Sequence, residues 1–119
     1  MISKVLLIIK SPPYGSSKAS EGFRMATAMI AMDVLPQILF VEDGVYCLVK
    51  NQKAETVGLA SFTERLRTLA DLVGLHAFSD SLFQRKLEPN SLDENLKVKI
   101  LGIAEATELV AQNETVMTF

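Results

Sequence analysis

Leu35-Pro-Gln-Ile-Leu-Phe-Val-Glu-Asp-Gly-Val-Tyr-Cys-Leu-Val-Lys-Asn-Gln52 starts as a short apolar run and stops abruptly at a polar corner containing Gly44. Val5-Leu-Leu-Ile-Ile-Lys-Ser-Pro-Pro-Tyr-Gly-Ser-Ser17 has the same form, an apolar run that breaks at a polar, Gly-containing corner. Between them, Lys18 to Asp33 can be helical throughout. Strand, loop, helix, strand, loop is the layout of a parallel sheet whose functional loops lie at the strand ends.

Working outward, the first strand is expected at about Lys4 to Ile9, and it is apolar from Val5 onward, as in a central strand covered on both faces. Pro12 and Pro13 end it, since proline has no amide to continue a ladder. Ser17 or Ser20 can cap the helix that follows, with Phe23, Ala26, Met29 and Ile30 inside. Met25, Ala28 and Met32 widen its apolar surface, which suggests burial against both the sheet and another chain. The second strand runs from Gln37 to Val41, and Val45 to Val49 is either a short helix or an extended corner.

After a polar loop from Lys50 to Gly58, Ser61-Phe-Thr-Glu64 matches a capping box. Phe62, Leu66, Leu69 and Val73 follow at helical spacing, with Gly74 placed to end the helix. Leu75 to Phe78 reads as a third strand and Ser79 as the cap of a short helix before Pro89. Lys97 to Ile103 is a fourth strand, Glu105 to Ala111 a helix, and Thr115 to Phe119 the last strand. The expected fold is an α/β three-layer sandwich with a five-stranded, mainly parallel sheet, flavodoxin-like in outline.

The 119 residues fit one domain, and 49% apolar content excludes a disordered chain. A net charge of −2, with lysines and arginines scattered, argues against direct nucleic-acid binding. The opening apolar run is too short for a secretory signal or a membrane span. Cys47 is the only cysteine, so no intrachain disulfide and no multi-cysteine metal site is possible, and a cytoplasmic location is expected.

Cys47 is either a reactive thiol or a small packing residue among Val45, Leu48 and Val49. Ser79 and Asp80 stand near His76, the single histidine, but sequence neighbours do not make a triad, and capping and structural roles account for them. The Ser11–Ser17 turn could hold a phosphate at a helix start, yet it lacks the Walker and dinucleotide glycine patterns. No cofactor and no metal is therefore expected. Glu42 and Asp43 are paired carboxylates or solvated loop charges that fix the turn at Gly44. Tyr14 and Tyr46 suit a subunit interface, as do Met25, Met29 and Met32; Gly15 completes the loop beside Tyr14. Lys97 and Lys99 mark an exposed strand face.

Ser11-Pro-Pro-Tyr-Gly15 with Glu21-Gly22, the Phe40-Val-Glu-Asp-Gly-Val-Tyr46 corner, Ser81-Leu-Phe-Gln-Arg-Lys-Leu87 and the Val116-Met-Thr-Phe119 ending together resemble the DsrE/DsrF-like sulfur-relay family, its DsrF/TusC branch above all. The resemblance covers nearly the whole chain. It implies a subunit that assembles into rings or hexamers with DsrE-like and DsrH-like sister subunits. Such assemblies pass persulfide sulfur toward tRNA wobble-uridine thiolation, or take part in sulfur oxidation. In catalytic members the sulfur-carrying cysteine follows the third strand. Here the matching segment, Ala77 to Leu87, has none, and Phe78 or Ser79 occupies the place. The resemblance thus implies a scaffold member, not catalytic by itself. The alternatives are a stand-alone homo-oligomeric carrier using Cys47, and a small-ligand-binding enzyme using the Tyr14–Ser17 loop and Asp43.

Overall fold

The computed structural model describes residues 4–50 and 62–119. The strands are β1 (Val5–Ile9), β2 (Gln37–Phe40), β3 (Leu75–Phe78), β4 (Lys99–Leu101) and β5 (Thr115–Thr118). The α-helices are α1 (Lys18–Ala31), α2 (Phe62–Arg67), α3 (Ser79–Gln84) and α4 (Ile103–Ala111). All four strand pairings are parallel, in the order β4-β3-β2-β1-β5.

That order follows from the connections. The chain steps from β1 to β4 in one direction, and then α4 carries it back past the whole sheet to β5, beyond β1. Right-handed crossovers running in opposite directions fall on opposite faces. α4 accordingly packs on one face, through Ala106 and Leu109 against Leu6, Leu39 and Leu101. The other face is thicker: Val5, Leu7, Ile9, Ile38, Phe40, Leu75 and Ala77 meet residues of α1, α2, α3 and the corner after β2. The three-layer outline is the expected one, with a strand order of its own rather than the 2-1-3-4-5 order of flavodoxins. Because β1 alternates between two packed faces, Leu6, Leu7 and Ile9 are all buried, each contributing about 1.5–3 kcal/mol.

Several elements depart from the sequence expectation, each for a local reason. Ser17 occupies the N-cap position of α1 but makes no side-chain cap bond; the Lys18 amide instead donates to Ser16 Oγ at 3.3 Å. The stretch left open between helix and extended corner is a 3-10 segment, Glu42–Leu48, entered through Glu42 in the left-handed region (φ 51). The Ser61 capping box and the Lys50–Gly58 loop, apart from Lys50 itself, lie outside the described residues. α2 is shorter than its spacing predicts, ending at Arg67 rather than running to Val73. The Thr68 hydroxyl donates to the Arg65 carbonyl at 2.7 Å, a local bond that competes with helix continuation, while turns keep Leu69 and Val73 buried.

Ser79 is not the cap of α3 but its first residue; Phe78 holds the cap position. β4 is shortened at both ends, because Lys97 turns into the left-handed region (φ 51) and Gly102 already caps α4. α4 begins before the expected Glu105, whose carboxylate accepts the Gly102 amide at 3.4 Å. Lys97 is therefore a turn residue, ion-paired with Asp71 at 3.2 Å, and only Lys99 belongs to the exposed edge strand.

Candidate functional site at the strand ends

The corners after β1 and β2 and the start of α3 meet beyond the C-terminal ends of the central strands, the usual place for function in an open parallel sheet. Gly44 lets two of them close on one another. A Cβ at this position would overlap the Ile9 backbone carbonyl oxygen, so only glycine lets the β2 corner lie against the end of β1. The corner is then tied to α3. The Glu42 amide donates to Ser81 Oγ at 2.9 Å, and the Arg85 guanidinium pairs with Asp43 at 3.1 Å while donating to the Ser81 carbonyl at 3.3 Å. Asp43 is thus ion-paired across the corner with Arg85, and Glu42 is exposed beside it.

Cys47 lies on the inner side of the corner, fully buried in the thicker core. Its Sγ donates weakly to the Ser11 carbonyl at 3.8 Å, and its own carbonyl accepts the Thr63 hydroxyl at 2.8 Å. Burial pushes the thiol pKa far up and outweighs the backbone hydrogen bond that lowers it, so the nucleophilic thiolate is disfavoured. Neither access nor ionisation suits a persulfide carrier in this state.

Tyr14 is half-buried, and its hydroxyl oxygen accepts the Phe62 amide at 2.9 Å. With Pro13, Gly15, Ser16, Ser20, Phe62 and Arg65 it lines an open cleft of about 230 Å³. The Arg65 guanidinium stands 4.7 Å from the Phe23 ring centre and 5.5 Å from that of Phe62, a cation–π pair of contacts on the cleft wall. Tyr46 is partly exposed at the corner. Met25 and Met29 pack partly against their own core, so α1 uses most of its broad apolar surface within the chain. Met32 alone of the three is open to solvent, 78% exposed.

Ser79, Asp80 and His76 are not brought together. Neither ring nitrogen of His76 has a hydrogen-bond partner among the described residues, and the ring lines a separate groove with Gln37, Lys99, Glu105 and Glu108. Burial first, and the Lys99 charge second, lower its pKa. Among the described residues no cluster of three or more His, Cys, Asp or Glu could hold a metal, and no helix is long and apolar enough to cross a membrane. Sequence reasoning gave Arg65, Arg85 and Ser81 no site role; each also meets a partner about forty residues away, Phe23, Asp43 and Glu42 respectively, which no local pattern marks. Exposed apolar side chains accompany this end of the molecule: Phe83 on α3 is 84% exposed and Ile103, first in α4, 67%.

Known proteins match this arrangement along its length. The chain is 27% identical to the intracellular sulfur oxidation protein DsrF of Allochromatium vinosum, over all of this chain and 98% of that protein. It is 24% identical to protein TusC of Buchnera aphidicola subsp. Baizongia pistaciae, covering 99% of this chain and all of the other. The crystal structure of the ychN protein from E. coli superposes with a TM-score of 0.85 at 20% identity, over 99% of this chain and all of that one, and shows the same fold. The profile of the DsrE/DsrF-like family matches residues 3–119, through all five strands and both strand-end corners, and the chain belongs to that family.

Proposed function

We propose that this chain is a scaffold subunit of an intracellular sulfur relay, acting in sulfur oxidation or in tRNA thiolation, and that sister subunits carry the sulfur. The observation that supports this most directly is the chemistry at the end of β3. Phe78 and Ser79 stand where the family resemblance places the carrier cysteine, and neither can hold a persulfide. The one thiol in the chain, Cys47, is buried and held protonated. The names of the similar proteins, a sulfur oxidation protein and TusC, support the pathway class.

A scaffold works through its surfaces. Phe83 and Ile103 near the strand ends, and Met32, Leu35 and Leu72 elsewhere, are large apolar side chains left more than half exposed, as interface positions would be. DsrE-like and DsrH-like sister subunits are the partners that the family resemblance implies.

The test is transfer of labelled sulfur. Purified chain is incubated with a cysteine desulfurase and labelled cysteine, with and without the sister subunits, and thiol-reducible label is measured on each polypeptide. Label should stay off this chain and reach a sister. Stoichiometric persulfide on Cys47 would overturn the scaffold reading. Sedimentation with the sisters present, comparing wild type with Met32→Glu and Phe83→Glu, should show assembly lost before the monomer unfolds, since a charge there is desolvated only in the complex.

A further inference from the structure

The two edges of the sheet are built differently. β4 closes one edge with Lys99 exposed and Lys97 just before it, the charges that discourage strand pairing. β5 closes the other with Thr115-Val-Met-Thr118, continuing to Phe119, a stretch without charge or proline and rich in strand-forming residues. The Thr115 amide donates to the Lys4 carbonyl at 3.1 Å and the Phe119 amide to the Ile8 carbonyl at 2.8 Å, while the Phe119 carbonyl accepts the Lys10 amide at 2.9 Å. In a parallel ladder, alternate residues point both backbone groups at the same neighbour. Thr115, Met117 and Phe119 therefore face β1, and the amides and carbonyls of Val116 and Thr118 point away from the sheet.

We propose that β5 is a strand-pairing edge that joins two copies of this chain, antiparallel, about a two-fold axis at Met117. The spacing makes the edge complementary to itself. With Met117 opposite its own copy, Val116 stands opposite the second copy's Thr118, and both turn their amide and carbonyl toward the partner. That is the hydrogen-bonded pair of an antiparallel ladder, formed once on each side of the axis. Side chains agree with this register. Val116, 40% exposed, lies on the α4 face, where Val110 in the last turn of α4 is 38% exposed, and pairing would cover apolar surface beside the new ladder. Met117 on the opposite face would pack against its copy. The two residues that pair, Val116 and Thr118, carry no charge and meet without like-charge repulsion, whereas Lys99, exposed on β4, would oppose its own copy across that edge. The inference is independent of the sulfur-relay reading and would stand if that failed.

Amide hydrogen exchange on the whole wild-type chain, at low and high protein concentration, tests the proposal. The Val116 and Thr118 amides should exchange quickly in dilute protein and slow by roughly tenfold or more as the dimer fills, while Thr115 and Phe119 are protected throughout. Sedimentation should show a dimer lost in Val116→Lys and Thr118→Lys, with circular dichroism unchanged. A chain that stays monomeric at every concentration would overturn it. So would a dimer in which Val116 and Thr118 remain fast, or protection that appears only when a sister subunit is added.

Discussion

Cys47→Ala separates a packing thiol from a reactive one. The side chain is fully buried, so losing its sulfur at neutral pH should cost about 1–2 kcal/mol. A chain of this size shifts its melting temperature by about 4 °C per kcal/mol, giving a loss of about 4–8 °C. The pH dependence carries more information. In the folded state burial raises the thiol pKa, whereas in the unfolded chain it lies near ~8.5. Above that pH the unfolded chain releases the proton and the folded chain keeps it. The contribution is fully present below the unfolded pKa, and wild-type stability then falls by about 1.4 kcal/mol per pH unit relative to the variant. An initial advantage near 1.5 kcal/mol is used up by about pH 9.5, where the two stability curves should cross. Urea unfolding of both proteins from pH 7 to 10.5 measures this, and the difference cancels the tyrosines and lysines common to both. Iodoacetamide should modify native Cys47 at least about a thousandfold more slowly than in urea, since only opened molecules react. Parallel pH curves, or native alkylation within about tenfold of the unfolded rate, would refute the reasoning.

Gly44→Ala should destabilise by about 2–3 kcal/mol, at the upper end for overpacking, because the atom it meets is the Ile9 backbone oxygen and cannot rotate away; thermal melting measures it. His76, kept neutral by burial and by Lys99, should cost stability as pH falls below ~6.5, where the unfolded chain takes up the proton first. Lys99→Met should raise the His76 pKa in a ring-proton NMR titration. Asp93 is buried, which opposes its charge, but hydrogen bonds from Arg67 at 2.6 and 2.9 Å and from the Asn95 amide hold its pKa below the usual carboxylate range. Asp93→Asn should cost about 1.5–3 kcal/mol at neutral pH, and the wild type should lose that margin only as pH falls below ~4.

The sheet was readable because its strands are apolar runs ended by proline, glycine or serine, signals that lie within a few residues of one another. Val5–Ile9, Gln37–Phe40 and Leu75–Phe78 show this directly. What failed was decided by competition over one or two residues: Thr68 bonding back to Arg65, Lys97 turning left-handed, Phe78 taking the cap position beside Ser79. At the candidate site, Gly44 was noted as a turn former, but its role is close approach to Ile9, which depends on two strands being neighbours. Asp43 had no visible partner because Arg85 arrives from more than forty residues later in the chain. Cys47 sat in an apolar run, which agrees with its burial. The breadth of α1 could not be divided between its own core and a partner from the sequence, since a periodicity does not show that Met25 and Met29 already pack partly against that core.

The placement of β5 beside β1 also sets a timetable for synthesis. β1 leaves the ribosome long before its neighbour on one side, Thr115–Thr118, which pairs with it from the far end of the domain. Until those residues emerge, Val5 to Ile9 can pair only with β2, and one flank of the most apolar strand stays open. However early α1 forms, a nascent chain of this kind cannot complete its sheet before β5 has emerged. Its vulnerable interval lasts until β5 emerges, so ribosome stalling before that point should promote aggregation, whereas deleting β5 should expose the same flank permanently.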